Sequence, residues 1–164
     1  MKLPLKISSL TLVLLFGLIS QACTSCQGAE DAQPTSDSEE MEPTETKISI
    51  QVGGRTFTAT MADNPAVAAL LPLLPLTLDM ADLNRNEKTG QLPQNLPTQT
   101  YSPGTIQNGD LLLWGANDFV IFYETFSSSY SYTPLGKIDD PSGLKEALGA
   151  GDVTVTLTLV AETD

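Results

Sequence analysis

Ile48, Ile50 and Val52 alternate with Lys47, Ser49 and Gln51. After Gly53-Gly54, Phe57, Ala59 and Met61 alternate with Thr56, Thr58 and Thr60. A period of two puts every second side chain on one face of an extended chain, so one face is apolar and the other polar. Two such runs joined by Gly-Gly form a hairpin, because both turn residues take positive φ without strain.

The remaining signals repeat this theme. Leu76, Leu78 and Met80 alternate with Thr77 and Asp79, and Val153, Val155, Leu157 and Leu159 alternate with Thr154, Thr156 and Thr158. Gly109-Asp110 opens an apolar run from Leu111 to Trp114, Gly115-Ala116-Asn117-Asp118 turns the chain, and Phe119 to Tyr123 returns. Asp63-Asn64-Pro65 starts a short helix that Pro72 stops after Leu71. Asp140-Pro141 starts a second, with Asp140 as its N-cap and Gly149 near its end. Asp82 to Thr98, broken by Asn, Gly, Gln, Leu92-Pro93 and Leu96-Pro97, reads as one long surface loop. Many short strands, two short helices and no βαβ rhythm predict a mainly β domain closed, or nearly closed, into a barrel. Roughly 115 residues suffice for one such core.

Before Lys47 the composition is of another kind. Lys2 and Lys6 precede an apolar run of thirteen residues, Ile7 to Ile19, and Ser20-Gln21-Ala22-Cys23 follows. The run is short for a bilayer span, which takes about 20 residues. A small residue before cysteine resembles a lipobox, although Ser20 stands where a Leu-like residue is preferred. Residues 1–22 are therefore expected to be a lipoprotein signal peptide, with Cys23 the lipidated residue. Cys26 is the alternative site, and plain secretion or an uncleaved anchor are the alternative fates. Residues 23–46 are acidic and rich in Ser, Thr and Pro, with seven acids and no base from Thr24 to Thr46. This composition predicts a disordered leash spanning roughly 20 to 30 Å. The barrel domain is assigned to 47–161.

Charge and absences exclude much. A net charge of -12 rules against nucleic acid, which needs a basic face. The chain has no histidine, so it holds no Ser-His-Asp triad and no histidine-based zinc site. Cys23-Thr24-Ser25-Cys26 has redox spacing but lies between signal and leash, away from any helix N-terminus. No glycine-rich phosphate loop is present. No metal or cofactor is expected. Asp79, Asp82 and Glu87 gather around one strand end and Asp139 adjoins Asp140; apart from the capping Asp140, these read as solvated loop acids.

The run Gly109-Asp110-Leu111-Leu112-Leu113-Trp114-Gly115, then Phe122-Tyr123, Phe126-Ser127 and Tyr130-Ser131-Tyr132-Thr133 with Leu135-Gly136-Lys137-Ile138-Asp139, resembles a family of small bacterial cyclophilin-like proteins. Asp82-Leu83-Asn84, Asn86-Glu87-Lys88 and the two Leu-Pro pairs fit the same family. The resemblance implies a cyclophilin-like closed β-barrel over nearly all of Lys47 to Leu159; the family's activity is unsettled. It does not imply prolyl isomerisation. True cyclophilins carry a Phe-His-Arg run, and neither Arg55 nor Arg85 sits in one. Gln107-Asn108-Gly109-Asp110 is similar to a second cyclophilin element, but Gly-Asp before a strand is common and nothing is carried over from it.

Seven of the ten aromatic residues lie between Trp114 and Tyr132, which makes this stretch the main candidate surface. Phe119, Phe122 and Tyr123 read as core. Phe126, Tyr130 and Tyr132 flank the flexible Ser127-Ser128-Ser129, and amphipathic rings there suit an apolar or proline-bearing ligand. A groove between this segment and the 82–98 loop, with Arg85, Glu87, Phe126, Tyr130 and Tyr132, is the expected ligand site. The alternative is ring packing over a barrel mouth, with Arg85 in solvent. The expected protein is a monomeric binding module of the cell envelope, held to the membrane by its lipid and taking a peptide or small molecule. The alternative is an enzyme, a weak prolyl isomerase or a carboxylate-based catalyst. Thr24 after the cysteine favours the outer membrane if the cell is Gram-negative. Metabolic labelling with a fatty acid is expected to mark the native chain and not Cys23→Ala. Labelling that survives Cys23→Ala and disappears in Cys26→Ala would move the anchor.

Overall fold

The computed structural model of the chain describes residues 45–161; the signal segment, Cys23 and the leash up to residue 44 lie outside them. The glycine-turned hairpin forms as the alternation predicts, from β1 (Lys47–Val52) and β2 (Arg55–Met61). Gly53 has φ 56°, and a Cβ there would stand 2.5 Å from the Ala147 carbonyl oxygen, so both conformation and space require glycine. Helix α1 (Pro65–Leu70) starts at Asn64, whose side chain accepts from the Val67 amide at 3.0 Å, and a turn of 3-10 helix through Pro72 ends it.

Five further strands continue the chain: β3 (Leu76–Leu83), β4 (Glu87–Gln91), β5 (Gly104–Ile106), β6 (Asp110–Trp114) and β7 (Asp118–Phe122). After these come β8 (Phe126–Ser128), β9 (Thr133–Ile138), α2 (Leu144–Leu148) and β10 (Val153–Leu159). Eight strands close an antiparallel barrel in the order β1-β10-β3-β4-β7-β6-β9-β2, and β5 and β8 pair as a separate ribbon. Its interior is filled by the alternate residues that the sequence marked: Ile48, Ile50, Phe57, Ala59, Leu78, Met80, Val155 and Leu157, all buried. Helix α1 leaves the end of β2 while α2 packs on the β1–β2 turn, so the two helices close the two ends. A smaller apolar cluster lies on the outer face. There Leu112, Val120 and Phe122, which alternate with inward Leu111, Leu113, Phe119 and Ile121, are covered by Ile106, Tyr132 and Phe126.

Two expectations need correction. The stretch from Asp82 to Thr98 is not one loop. Asp82 and Leu83 finish β3, Asn84-Arg85-Asn86 turns, and β4 runs back beside β3, with Asp82 facing Lys88 across the ladder. Leu92 and Leu96 then bury themselves, their amides bonded to the Asn117 and Ala116 carbonyls. The strand was hidden because its inward residue is a lysine. Lys88 is fully buried and gives its three protons to Asp82 Oδ2 at 2.6 Å, Gly151 O at 2.6 Å and Gly149 O at 3.0 Å. The second correction concerns Asp140, which does not cap α2. Gly143, at φ 77°, precedes that helix, and Asp140 Oδ1 instead accepts the Ser142 amide at 3.0 Å in the turn before it.

The Lys88 ammonium, then the Tyr123 hydroxyl at 2.7 Å, holds the Asp82 carboxyl below the usual carboxylate range. A group so depressed stabilises the fold above its unfolded pKa, and that stabilisation disappears as pH falls through the lowered value. Asp82→Asn is expected to lower unfolding free energy in denaturant melts by about 3 kcal/mol, because it strands a buried ammonium. The double variant with Lys88→Met is expected to cost less than the sum of the two single changes; strict additivity would show that the pair is not coupled.

Candidate functional site

The Asn84–Asn86 turn divides two depressions. Asn84 and Arg85 take φ 54° and 57°, left-handed values that asparagine tolerates and arginine rarely adopts. Asp82 holds the turn through the Arg85 amide at 3.2 Å. On the barrel-end side lies a broad depression of about 890 Å3, lined by Asp82, Arg85, Tyr123, Lys145, Glu146 and the Gly149–Gly151 loop. Its charges are largely engaged: Asp82 with Lys88 and Tyr123, and Lys145 with Glu124. Burial, followed by the Asp82 bond and charge, pushes the Tyr123 phenol far above its ordinary range, so it serves as a donor and not as an acid.

On the outer face lies a smaller cavity of about 240 Å3. Strand alternation builds it. Leu83 from β3, Glu87 and Thr89 from β4, Val120 from β7 and Trp114 from β6 all line it, and Tyr130 and Tyr132 close it from beyond β8. Val120 and Tyr132 belong to the outer apolar cluster, and the Tyr101–Tyr132 backbone bridge anchors the closing segment with two bonds of 2.9 Å. Glu87 is buried on the cavity side, and that burial raises its carboxyl above the ordinary range. Burial also raises the Tyr132 phenol; Ser128 opposes this shift and the charge of Glu87 adds to it.

Of the five residues expected to form one groove, the structure brings three together: Glu87, Tyr130 and Tyr132. Arg85 lines the other depression, because a tight turn between antiparallel strands sends neighbours to opposite sides. Phe126 does not line the cavity and instead packs on Phe122, with ring centroids 5.8 Å apart and planes tilted by 47°. Sequence reading missed Trp114, Leu83 and Thr89. The parity of β6 could have found Trp114, since Leu111 and Leu113 face inward and the tryptophan follows Leu112 outward. The other acids are occupied: Asp79 by Thr154, and Asp139 by Thr60 and Lys47. Among the described residues no group of three or more carboxylates stands together as a metal site would require.

The profile of the cyclophilin-like family matches residues 50–158, which includes all ten strands in part or whole and every residue of both depressions. The chain belongs to the cyclophilin-like family. Among solved structures it is similar to the solution structure of the hypothetical protein AF2241 from Archaeoglobus fulgidus, at 15% identity and a TM-score of 0.50. That similarity covers 74% of this chain and 99% of the other, and it concerns the fold alone. No curated protein matches the chain. The cyclophilin-like barrel thus positions the cavity without assigning it a chemistry.

Glu87 carries a testable signature. Its folded-state pKa is raised, so the fold favours the protonated form, and stability is lost as pH rises through that value. Glu87→Gln is expected to raise the melting temperature of the ligand-free domain slightly at neutral pH, because it removes a charge that desolvation disfavours. The gain should shrink in thermal melts as pH is lowered toward the carboxylate range. Equal stability at every pH would mean that the carboxylate is well solvated.

Proposed function

We propose that this protein is a membrane-tethered, cyclophilin-like binding module of the cell envelope, anchored through Cys23, whose outer-face cavity holds a small molecule or a peptide side chain. One observation carries the reading. Tyr130, Leu83 and Trp114 are 61%, 47% and 41% exposed, and all three line a single cavity. Large apolar side chains scattered over a surface need no explanation, but rings gathered on one concavity mark a contact site. A cavity of about 240 Å3 is below the range of drug-sized pockets, so it suits one compact group. The tether rests on the basic and apolar N-terminal run before Ala22-Cys23.

The isomerase alternative lacks the Phe-His-Arg run of true cyclophilins, since the sequence has no histidine. Arg55, the barrel's other exposed arginine, is tied to the Ser142 and Gly143 carbonyls at 3.1 Å each and lies over the Phe57 ring. A binding site asks less of the chain, since rings and one acid suffice.

Native mass spectrometry of the protein purified from its own envelope is expected to reveal a small co-purifying ligand. Tyr130→Ala is expected to weaken that ligand by about 1 to 3 kcal/mol with little change in melting temperature, as loss of one exposed ring in a contact site does. Unfolding of Tyr130→Ala with no separable loss of ligand would make the ring a structural one.

A further inference from the structure

The outer-face cavity holds an acid for which the fold has no use. Glu87 is 8% exposed, and among the described residues its carboxylate has neither a hydrogen-bond donor nor an ion-pair partner; burial alone shifts it. Cations of this chain that stand nearby in sequence are committed elsewhere. Lys88 faces the barrel interior and spends its protons on Asp82, Gly149 and Gly151. Arg85 lines the depression across the turn.

Around Glu87 stand three rings. Trp114 meets Tyr130 with centroids 5.3 Å apart at 86°, and Tyr132 with centroids 5.4 Å apart at 55°, so the rings stand as angled walls and not as a stack. The face of an aromatic ring carries negative charge density and attracts a cation, most strongly at tryptophan and where water is displaced. Acid and rings therefore select the same sign of charge. The net charge of -12 favours the same class of ligand at long range.

We infer that this cavity is a binding site for a small quaternary ammonium group, with Glu87 as its counter-ion and Trp114, Tyr130 and Tyr132 as its ring walls. The apolar share of the wall favours one ammonium type. A primary ammonium needs three well-placed oxygens, which is what Lys88 receives in the interior. Here the rings, Leu83 and Val120 supply most of the wall, and polar groups come from Glu87, Thr89, Asn84 and the two tyrosine hydroxyls. Methyl groups on nitrogen need no acceptor and pack on such a wall, while the carboxylate meets the diffuse charge. This inference rests on the binding-module reading and names the ligand class of that same cavity.

Trp114 is the only tryptophan in the chain and lines the site, so its emission reports occupancy directly. The full chain in detergent is titrated with tetramethylammonium chloride and with choline chloride, at an ionic strength held constant with sodium chloride. The uncharged isostere of choline, in which carbon replaces nitrogen, is the third probe. A saturable change is expected with both cations, with the isostere binding at least tenfold more weakly. Glu87→Gln is expected to weaken both cations at least tenfold while remaining folded in a thermal melt. Isostere and choline binding equally, or Glu87→Gln binding as tightly as the native chain, overturns the assignment of charge while leaving an apolar binding site. No saturable change with any probe overturns the assignment outright. The broader reading then stands or falls separately, on whether a ligand of another class co-purifies from the envelope.

Discussion

The ammonium of Lys88 is the interaction on which the arrangement of the barrel's α2 end depends. It is fully buried, and each of its three protons goes to a different part of the chain: β3 through Asp82, and two points of the α2–β10 loop through Gly149 and Gly151. A charge withdrawn from water is tolerated only where its geometry is nearly complete, so every partner is fixed by the requirement that the others be present. Tyr123, whose hydroxyl binds the same Asp82 oxygen and whose ring lies 5.5 Å from the ammonium, joins β7 to this set. An apolar side chain at position 88 could fill the space, but it could not specify where the 149–151 loop ends.

That constraint reaches the outer surface through strand parity. With Lys88 inside, Glu87 and Thr89 must point outward, because successive side chains of a strand alternate. They arrive next to Phe122 and Val120, their cross-strand partners on β7, and so at the edge of the outer apolar cluster. The same buried lysine that closes the barrel's interior therefore sets an acid beside aromatic rings on its exterior. The turn between the strands is short because Asp82 and Lys88 are already in register, and its two left-handed residues follow from that shortness. Strain in Arg85 is thus explained by the fold, without appeal to any role of its side chain.

Much of the fold was legible in the sequence and the reason is physical: apolar alternation in β1, β2, β3 and β10 reports a half-buried strand directly. The Asn64 cap and Pro72 likewise bound α1 where their chemistry says they should. What escaped was β4, Glu-Lys-Thr-Gly-Gln, in which no apolar residue marks the inner face. Hydrophobic periodicity cannot see a strand whose buried residues are a lysine and a glycine. Gly90 is there because β3 passes close: a Cβ would meet Met80 Cγ at 3.0 Å. The short β5–β8 ribbon escaped for a related reason, being held by three residue pairs and one layer of apolar contact. For the site, composition pointed to the aromatic segment, but which rings would be buried depended on the ribbon. Phe126 is drawn into the cluster that the ribbon covers, whereas Tyr130 lies past its end and stays out.

The two depressions differ in what their charges are for, and this difference separates architecture from a site. In the barrel-end depression, opposite charges meet: Asp82 with Lys88, and Glu124 with Lys145. Groups paired in this way have their electrostatic needs met within the chain, and a ligand would have to displace a partner to gain anything. In the outer-face cavity, Glu87 is largely covered by its neighbours, desolvation raises its carboxyl, and no partner among the described residues answers it. A carboxyl shifted by burial and left without a partner inside the fold is a candidate for contact with something outside it. Beside Glu87, Trp114 and Tyr130 keep 41% and 61% of their surface exposed, although Trp114 touches Tyr132, a member of the outer apolar cluster. An unpaired acid and two exposed rings on one concavity are what the proposed ligand would complete, whereas the paired charges of the barrel end already complete one another.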